Sequence, residues 1–371
     1  LKMKNKFLYK NIFMYASLQF CGNIEEYFRR HTEKLLVFIV MPRLKNEFNL
    51  VRLYREGRLV EEKKVLSSDS ILLYYFFWYF YQIVFLLKYF SQKESVTLIG
   101  GHPISFFGMF IQRLFRNITF VYFVGDYFPP TTIVLRFFEK LKKFYHDRIK
   151  CATYLSDRIN KKMNGKIVNT FNKKTVMWGV KPKNLSKSLA TDICSMLFVG
   201  LIKESQGLEF ILRFLKDHKK YKLNIIGVCE DKLFRQYLGT ITKYDLNSRV
   251  YFPNKFFTDL ELDNLSRTCH IGIALYDTSK ESSTYYTDPG KVKAYAEMGL
   301  PVIMSDTSAI ASFIKEFKAG EVIDLNQKSL EKALLLINNN YMSYQKGLDD
   351  FNAFFYYETY YEKAFKFLER I

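Results

Sequence analysis

Short apolar runs and longer segments with helical spacing alternate along nearly the whole chain. The apolar runs are nearly continuous, which is typical of strands buried on both faces of a sheet. In the first half, the pattern predicts strands at 11–17, 35–41, 50–53, 96–100, 118–124, 152–155 and 175–178. The helices predicted between them cover 23–32, 70–90, 104–115, 131–150 and 157–163.

A second series of the same kind follows a stretch that is rich in Lys and Ser and poor in large apolar residues. Its predicted strands cover 195–199, 223–226, 250–252, 271–275, 301–304 and 320–323. Its predicted helices cover 208–216, 231–238, 260–267, 289–298, 307–317, 329–338 and a last one over 350–371. Two such series predict an α/β protein with two doubly wound, Rossmann-like domains facing a cleft.

The charge balance points to anionic partners. Among 371 residues, 56 are Lys or Arg and 37 are Asp or Glu, which gives a net charge of +19. Such a field attracts phosphates, nucleic acid or an anionic membrane surface. No nucleic-acid-binding module is recognised, so that partner is not predicted. The 36 Phe and 27 Tyr fit either the codon bias of an A/T-rich genome or a role at a membrane surface.

The cysteines and histidines predict neither disulfides nor metal. Five cysteines are scattered without a C-x-x-C pair, and five histidines show no metal-ligand spacing. We therefore predict no metal site and no cofactor. A reducing cytoplasm fits this use of cysteine, and a peripheral position on the inner face of a membrane is the second expectation.

Two segments raise the question of a membrane or targeting role. Lysines 2, 4 and 6 precede an apolar stretch over 12–20 that faintly resembles a signal peptide, but polar residues interrupt it. We predict the first strand there. The segment 71–90 is the one transmembrane candidate by length. Because it carries Gln82, Lys88 and five tyrosines, a buried or interfacial helix is predicted instead.

The segment over 287–303 carries the most informative chemistry. Asp288 and Pro289 form a helix start, in which Asp caps free amides and Pro suits the first helical position. The amides of Gly290 and Lys291 lie in the first turn without intrahelical acceptors, and Lys291 adds a full charge. A diphosphate at this helix head is one interpretation. A plain capped helix with a solvated lysine is the other.

The same segment resembles the nucleotide-binding segment of glycosyltransferases with the glycosyltransferase B fold, in particular family 4 (group 1) bacterial enzymes. The matching residues are Pro289, Lys291, Tyr295, Gly299, Pro301, Val302 and Ile303. The family's two acids fall on Tyr286 and Ala294 and are therefore missing. Asp288 either replaces them at the nucleotide ribose or only caps the helix.

A second matching segment, over 196–207, resembles the opening of the family's donor-binding domain. Gly200 would allow a close approach of the backbone to a phosphate. The family's Arg after this glycine is absent, and Gln206 stands where Lys is usual. Lys203 either supplies the cation or is a solvated loop lysine.

Three loops of the first half carry candidate residues, and those at Gly22 and Asp126 resemble loops of the family. Gly22 and Asn23 follow the first strand at a helix start, where the family loop is richer in glycine. His102 follows the strand at 96–100 and either contacts a sugar, acts in proton transfer or has no chemistry. Asp126 follows a strand that often ends His-Asp in the family, but Gly125 stands at the His position. Asp126 either acts in the site or only caps its loop.

The resemblance implies a division of the chain and a reaction. The acceptor domain would cover 1–180, a linker 181–193, the nucleotide-sugar domain 194–345, and a final helix over 346–371 would return to the first domain. The implied function is metal-independent transfer of a sugar from a nucleotide sugar to a saccharide or lipid-linked acceptor, in surface polysaccharide or glycan synthesis. A non-catalytic binding subunit and a nucleotide-sugar epimerase are the alternatives.

Overall fold

The computed structural model of the protein describes residues 7–17, 22–40, 48–101, 110, 113–183, 185, 194–276 and 283–370. The chain forms two compact units. The first runs to Trp178 and resumes at Tyr357, and the second runs from Gly179 to Tyr356. Most of the predicted linker over 181–193 lies outside the described residues.

One mixed sheet forms the centre of the first unit. Its strands are β1 Tyr9–Ser17, β2 Thr32–Val40, β3 Asn49–Arg55, β4 Arg58–Val65, β5 Val96–Gly100, β6 Ile118–Val124, β7 Cys151–Tyr154 and β8 Lys173–Thr175. Their order is β4-β3-β2-β1-β5-β6-β7-β8, and β3 alone runs against the others. From 35 to 40, β2 is a buried apolar run, because helices cover both faces of a parallel sheet.

The hairpin of β3 and β4 departs from the prediction. The sequence indicated only a short strand at 50–53 in a parallel series, whereas β3 is antiparallel to β2 and pairs with an unpredicted β4. β4 has no buried residue, so its charged sequence carries no apolar signal. Glu56 and Gly57, both with positive φ, make the tight turn. The strand predicted at 175–178 is also wrong, since β8 ends at Thr175.

Four helices described in the first unit come before residue 178. They are α1 Ile24–His31, α2 Ile71–Tyr89, α3 Ile133–Arg148 and α4 Asp157–Asn164. The helix predicted over 104–115 lies mostly outside the described residues. No helix in the described part of the chain is both long and apolar enough to cross a membrane. α2 packs on the sheet, with the rings of Tyr81 and Phe85 on Phe38 of β2.

A parallel sheet of six strands forms the second unit. Its strands are β9 Cys194–Val199, β10 Tyr221–Ile226, β11 Val250–Tyr251, β12 Ile271–Ala274, β13 Val302–Ser305 and β14 Gly320–Ile323. Their order is β11-β10-β9-β12-β13-β14. The helices are α5 Leu208–Asp217, α6 Asp231–Lys243, α7 Asp259–Ser266, α8 Gly290–Glu297, α9 Ile310–Glu316, α10 Gln327–Asn339 and α11 Tyr341–Phe354.

The core of the second unit follows from the sequence periods. Met196 and Phe198 alternate on β9 toward one face of the sheet, where Ile211 and Leu215 of α5 pack against them as part of one buried cluster. Residues 211 and 215 are one helical turn apart, so they share a face of α5. Two periods, one of a strand and one of a helix, thus meet in one core.

The chain ends in two helices rather than one. The sequence predicted a single helix over 350–371, but α11 ends at Phe354, and α12 Tyr357–Phe365 follows as part of the first unit. On α1, Tyr27 and Phe28 place their rings 5.6 Å and 4.9 Å from those of Tyr361 and Phe365 on α12. The last helix therefore closes the core beside α1.

Candidate functional site

The second sheet has the strand order of a dinucleotide-binding domain. Numbered from its first strand, the order is third, second, first, fourth, fifth and sixth. The direction of winding reverses between β9 and β12, and ligands of such sheets bind where the carboxyl ends of these two strands separate. Gly200 follows β9 directly, and Tyr276 follows β12 after one residue.

Helix α8 follows β12 in the chain. Its N-terminus therefore lies on the side of the sheet where β12 ends. It begins at Gly290 with Pro289 as its N-cap, so the predicted start at Pro289 is one residue too early. Asp288 precedes the cap and does not itself occupy the capping position. At the other end, the amide of Leu300 donates to Tyr295 O at 2.9 Å and Gly299 has a φ of 70°, which confirms the predicted helix end.

Lys291 holds its ammonium in an apolar corner. Its Nζ lies 3.8 Å from the ring centroid of Phe198 and 5.1 Å from that of Tyr276. The nitrogen is inaccessible to solvent, and within the described residues it has no hydrogen-bond partner. Burial lowers the pKa of Lys291 to about 7, since a low-dielectric surrounding disfavours the charged form. The interpretation of Lys291 as a solvated lysine is therefore wrong.

Two glycines bring the backbone close to this lysine. A Cβ placed on Gly200 would lie 3.7 Å from Lys291 Cε, and Gly200 has a φ of +123°. The Gly200 amide donates to Ile226 O at 3.0 Å. A Cβ on Gly227 would lie only 1.8 Å from the Gly200 carbonyl oxygen. The loops after β9 and β10 therefore run in direct backbone contact, and neither tolerates a side chain there.

Tyr295 ties α8 to the two strands at the reversal point. Its hydroxyl accepts a hydrogen bond from the Val199 amide and donates one to the Ile273 carbonyl, both at 2.9 Å. Its ring packs where a Cβ on Gly272 would be 2.3 Å from Tyr295 Cγ. In the sequence, Tyr295 is recognisable only as a residue of the family pattern. This fully buried side chain sets the position of α8 and hence of Lys291.

We expect Tyr295→Phe to lower the free energy of unfolding by about 1–3 kcal/mol, because a buried amide and a buried carbonyl lose their partner. Urea unfolding of both proteins measures it. Tyr251→Phe is the matched control, since Tyr251 is 48% exposed, and its change should stay within about 0.5 kcal/mol. Equal losses in the two variants would contradict the bridging role of the Tyr295 hydroxyl.

The other predicted residues of this unit lie in different surroundings. Asp288 is buried, and its charge opposes the lowering of the pKa of Lys293 that burial causes. Lys293 Nζ lies 3.1 Å from the ring centroid of Phe355, so this second lysine of α8 belongs to the core. Lys203 is exposed in the loop after Gly200. These positions leave Gly200, Gly290 and Lys291 as the group that the structure brings together.

In the first unit, three predicted loops leave one edge of the sheet. β1, β5 and β6 are parallel neighbours, with Tyr15 beside Gly100 and Gly100 beside Tyr122. The loops that follow their carboxyl ends therefore begin side by side, and they carry Gly22, Asn23, His102 and Asp126. His102 lies outside the described residues. The reversal of winding in this sheet falls between β1 and β5, the default ligand position of such a sheet.

The loop at Gly22 is held by the last helix. Asn23 is the N-cap of α1 with a φ of 60°, so the helix begins one residue after the predicted start, and the Tyr361 hydroxyl donates to the Gly22 carbonyl at 2.7 Å. The left-handed backbone at Gly22 and Asn23 suits glycine and asparagine. Their peptide groups thus have a fixed direction at the sheet edge.

Asp126 is exposed at the end of β6, and a buried lysine fixes its backbone. Lys142 Nζ donates to the Asp126 carbonyl and lies 3.0 Å from Glu139 Oε1. Lys142 does not stand out in the sequence, because it is one of many lysines on an amphipathic helix. The available signal was that the helical pattern of α3 places Lys142 on the face that packs against the sheet.

Solved structures similar to this chain match it over almost its full length. Sucrose-phosphate synthase from Thermosynechococcus elongatus has a TM-score of 0.71 at 12% identity, covering 97% of this chain and 98% of that chain. A trehalose-6-phosphate structure from E. coli, bound with UDP-2-fluoro glucose, has a TM-score of 0.70 at 11% identity, covering 97% and 99%. HepE from Anabaena in complex with UDP has a TM-score of 0.65 at 13% identity, covering 98% and 100%. This chain has the glycosyltransferase B fold.

The glycosyltransferase B fold confirms the predicted fold class of two doubly wound α/β domains. No protein-family model matches the sequence, and a search of the curated proteins finds no match. At 11–13% identity, similarity to these structures establishes the fold alone. The chemistry must therefore be argued from the residues at the carboxyl ends of the strands.

Proposed function

We propose that this protein is a glycosyltransferase that takes a sugar from a nucleoside-diphosphate donor. The observation that carries the proposal is the buried ammonium of Lys291 beside Gly200, where the winding of the second sheet reverses; among the described residues it has no hydrogen-bond partner. An ammonium without an anion in an apolar corner costs stability. A ligand with a negative charge at this point would recover that cost.

The diphosphate of the donor fits this corner chemically. The first amides of α8, at Gly290 and Lys291, precede the first intrahelical bond, in which the amide of Val292 donates to Pro289 O. Together with the helix dipole they favour an anion. The flexible stem of Lys291 lets the ammonium turn from the Phe198 ring toward a phosphate.

The same groups would promote departure of the nucleoside diphosphate. Negative charge grows on the leaving oxygen in the transition state, and fixed amides with a lysine stabilise it. The role of Lys291 is then electrostatic, and no proton needs to leave it. The proposed reaction needs no cofactor beyond the nucleotide-sugar substrate.

A uridine nucleotide is the first donor to test. Two of the similar structures are bound with UDP or with UDP-2-fluoro glucose, which supports this choice for a chain of the same fold. The acids that the resemblance leads one to expect at the ribose are replaced by Tyr286 and Ala294.

The acceptor belongs to the first unit in this proposal. Gly22, Asn23, His102 and Asp126 follow strands that end at one sheet edge, with Asp126 and His102 as the groups that contact the reacting hydroxyl. A saccharide or a lipid-linked saccharide is the acceptor class, in surface polysaccharide or glycan synthesis. The protein would then work in the cytoplasm or on the inner face of a membrane.

The test is a panel of nucleotide sugars in thermal unfolding, followed by titration calorimetry of the best donor at several pH values. A ligand of the folded state raises Tm by mass action, and we expect a UDP-sugar to do so. Because the ligand-free pKa of Lys291 is about 7 and a diphosphate would raise it, binding takes up a proton. Above neutrality, the Kd should rise by up to about tenfold for each pH unit. A Kd that is flat from about pH 6 to 9 would count against Lys291 as the diphosphate ligand.

A non-catalytic binding subunit is the second candidate, favoured by the replacement of both acids at Tyr286 and Ala294. Such a protein would bind the donor with the same pH dependence but would not turn it over. Release of UDP from the best donor, with and without a mixture of saccharide acceptors, separates the two functions. Turnover establishes the enzyme, and binding without turnover establishes the subunit.

A further inference from the structure

Exposed apolar side chains cluster on two helices of the first unit. On α2, Leu72 is 80% and Phe76 56% exposed. On α3, Ile133, Val134 and Phe137 are 82%, 75% and 68% exposed. Single exposed apolar residues are ordinary, but large apolar groups gathered at matching places on two helices mark an interaction surface.

These five side chains lie in the N-terminal turns of their helices, at the same edge of the sheet. β4 and β6 both end at the carboxyl edge, and α2 and α3 start there and run back along the sheet. Both helices cross toward higher-numbered parallel strands in the same direction, so right-handed connections place them on one face. The apolar side chains therefore lie beside the edge from which the loop of Asp126 emerges.

Positive charge accompanies the apolar groups. Arg136 and Lys140 are exposed on α3. The two acids of this helix are both engaged by lysines, since Glu139 lies 3.0 Å from Lys142 Nζ and Asp147 3.0 Å from Lys143 Nζ. The neighbouring α4 adds the exposed Lys161 and Lys162. Basic residues bordering Leu, Ile and Phe are the composition with which helices bind the surface of an anionic bilayer.

We propose that the surface formed by Leu72, Phe76, Ile133, Val134 and Phe137 docks this protein on an anionic lipid membrane. The apolar groups enter the boundary between headgroups and acyl chains, and the lysines and Arg136 bind lipid phosphates. Resting on the function proposed above, this places the acceptor edge of the first sheet at the membrane. A lipid-linked acceptor could then reach Asp126 without leaving the bilayer.

The experiment is flotation of the purified full chain with vesicles of phosphatidylcholine, with or without about 30 mol% phosphatidylglycerol. We expect binding to the anionic vesicles to exceed binding to the neutral ones by about tenfold or more. A triple variant with Phe76→Ser, Ile133→Ser and Phe137→Ser should bind at least about tenfold more weakly. Leu260→Ser with Met342→Ser is the matched control, because Leu260 and Met342 of the second unit are 71% and 69% exposed, and its binding should stay unchanged.

Three results would overturn the proposal. They are a natural chain that does not bind anionic vesicles, a triple variant that binds them as well as the natural chain, and a control variant that loses as much vesicle binding as the triple variant. A dimer that the triple variant dissociates, without vesicle binding in the natural chain, would identify the surface as a contact between copies. Two controls separate this proposal from the donor site. The triple variant should still be stabilised by UDP, and the Lys291→Met variant should still bind vesicles.

Discussion

Replacing Lys291 by methionine is expected to make the ligand-free protein more stable while removing its response to UDP. Methionine fills the space of the lysine stem and packs well against the rings of Phe198 and Tyr276. It does so without the cost of burying an ammonium. In the natural protein, this burial lowers the pKa of Lys291 from 10.5 to about 7. Chemical unfolding and the UDP-induced shift in Tm measure the two effects in the same protein.

The gain in stability has a defined pH dependence. A lysine whose pKa is lower in the folded than in the unfolded state destabilises the fold fully below the folded pKa. The loss fades as the pH rises toward the unfolded value. The Lys291→Met variant should therefore exceed the natural protein by about 2–4 kcal/mol below pH 7 and lose this advantage near pH 10.5.

The control for this substitution is Lys220→Met, which removes an exposed lysine of the same unit. It should change the free energy of unfolding by no more than about 0.5 kcal/mol and keep the UDP response. A Lys291→Met protein that is less stable at neutral pH and still responds to UDP would refute both the strained resting position of the ammonium and its role with the diphosphate.

Gly227→Ala is the second substitution with a large expected effect. The added Cβ would come within 1.8 Å of the Gly200 carbonyl oxygen, and backbone on both sides leaves only movement of the loops as relief. We expect a loss of about 2–4 kcal/mol in the free energy of unfolding. The UDP-induced rise in Tm should also be lost, because the loop at Gly200 is displaced from Lys291.

Gly239→Ala offers the matching comparison. Gly239 lies inside α6, and a Cβ there meets nothing within 4 Å. Alanine in an exposed helix interior should raise the free energy of unfolding by about 0.5–1 kcal/mol. If Gly227→Ala were as stable as Gly239→Ala, the loops after β9 and β10 would not be in the contact described above.

Periodicity sufficed for most of the fold because most strands are buried on both faces. Where burial is absent, the signal is absent too, so β4, with its charged and exposed sequence, was missed. The end of the chain shows another limit. Periodicity continues from α11 to α12 without a proline or glycine at residues 355 and 356, so the break between the helices depends on packing within two different units.

The candidate site could be located from the sequence but not described. The pattern of Pro289, Gly290 and Lys291 predicted a cation at a helix head. Its burial against Phe198 and Tyr276 depends on strands about 90 and 15 residues away in the chain, which only the sheet topology brings together. The role of Tyr295 was missed for the same reason, since its hydroxyl bonds to backbone groups on two distant strands.

The order of synthesis has a consequence for the first unit, whose sheet ends at Thr175 but whose last helix begins at Tyr357. While the ribosome produces the 180 or so residues between them, Tyr27 and Phe28 of α1 lack the rings of Tyr361 and Phe365, and the Gly22 carbonyl lacks the hydroxyl of Tyr361. A chain that stops before Tyr357 would therefore expose the apolar surface of α1 that the last helix covers in the finished protein.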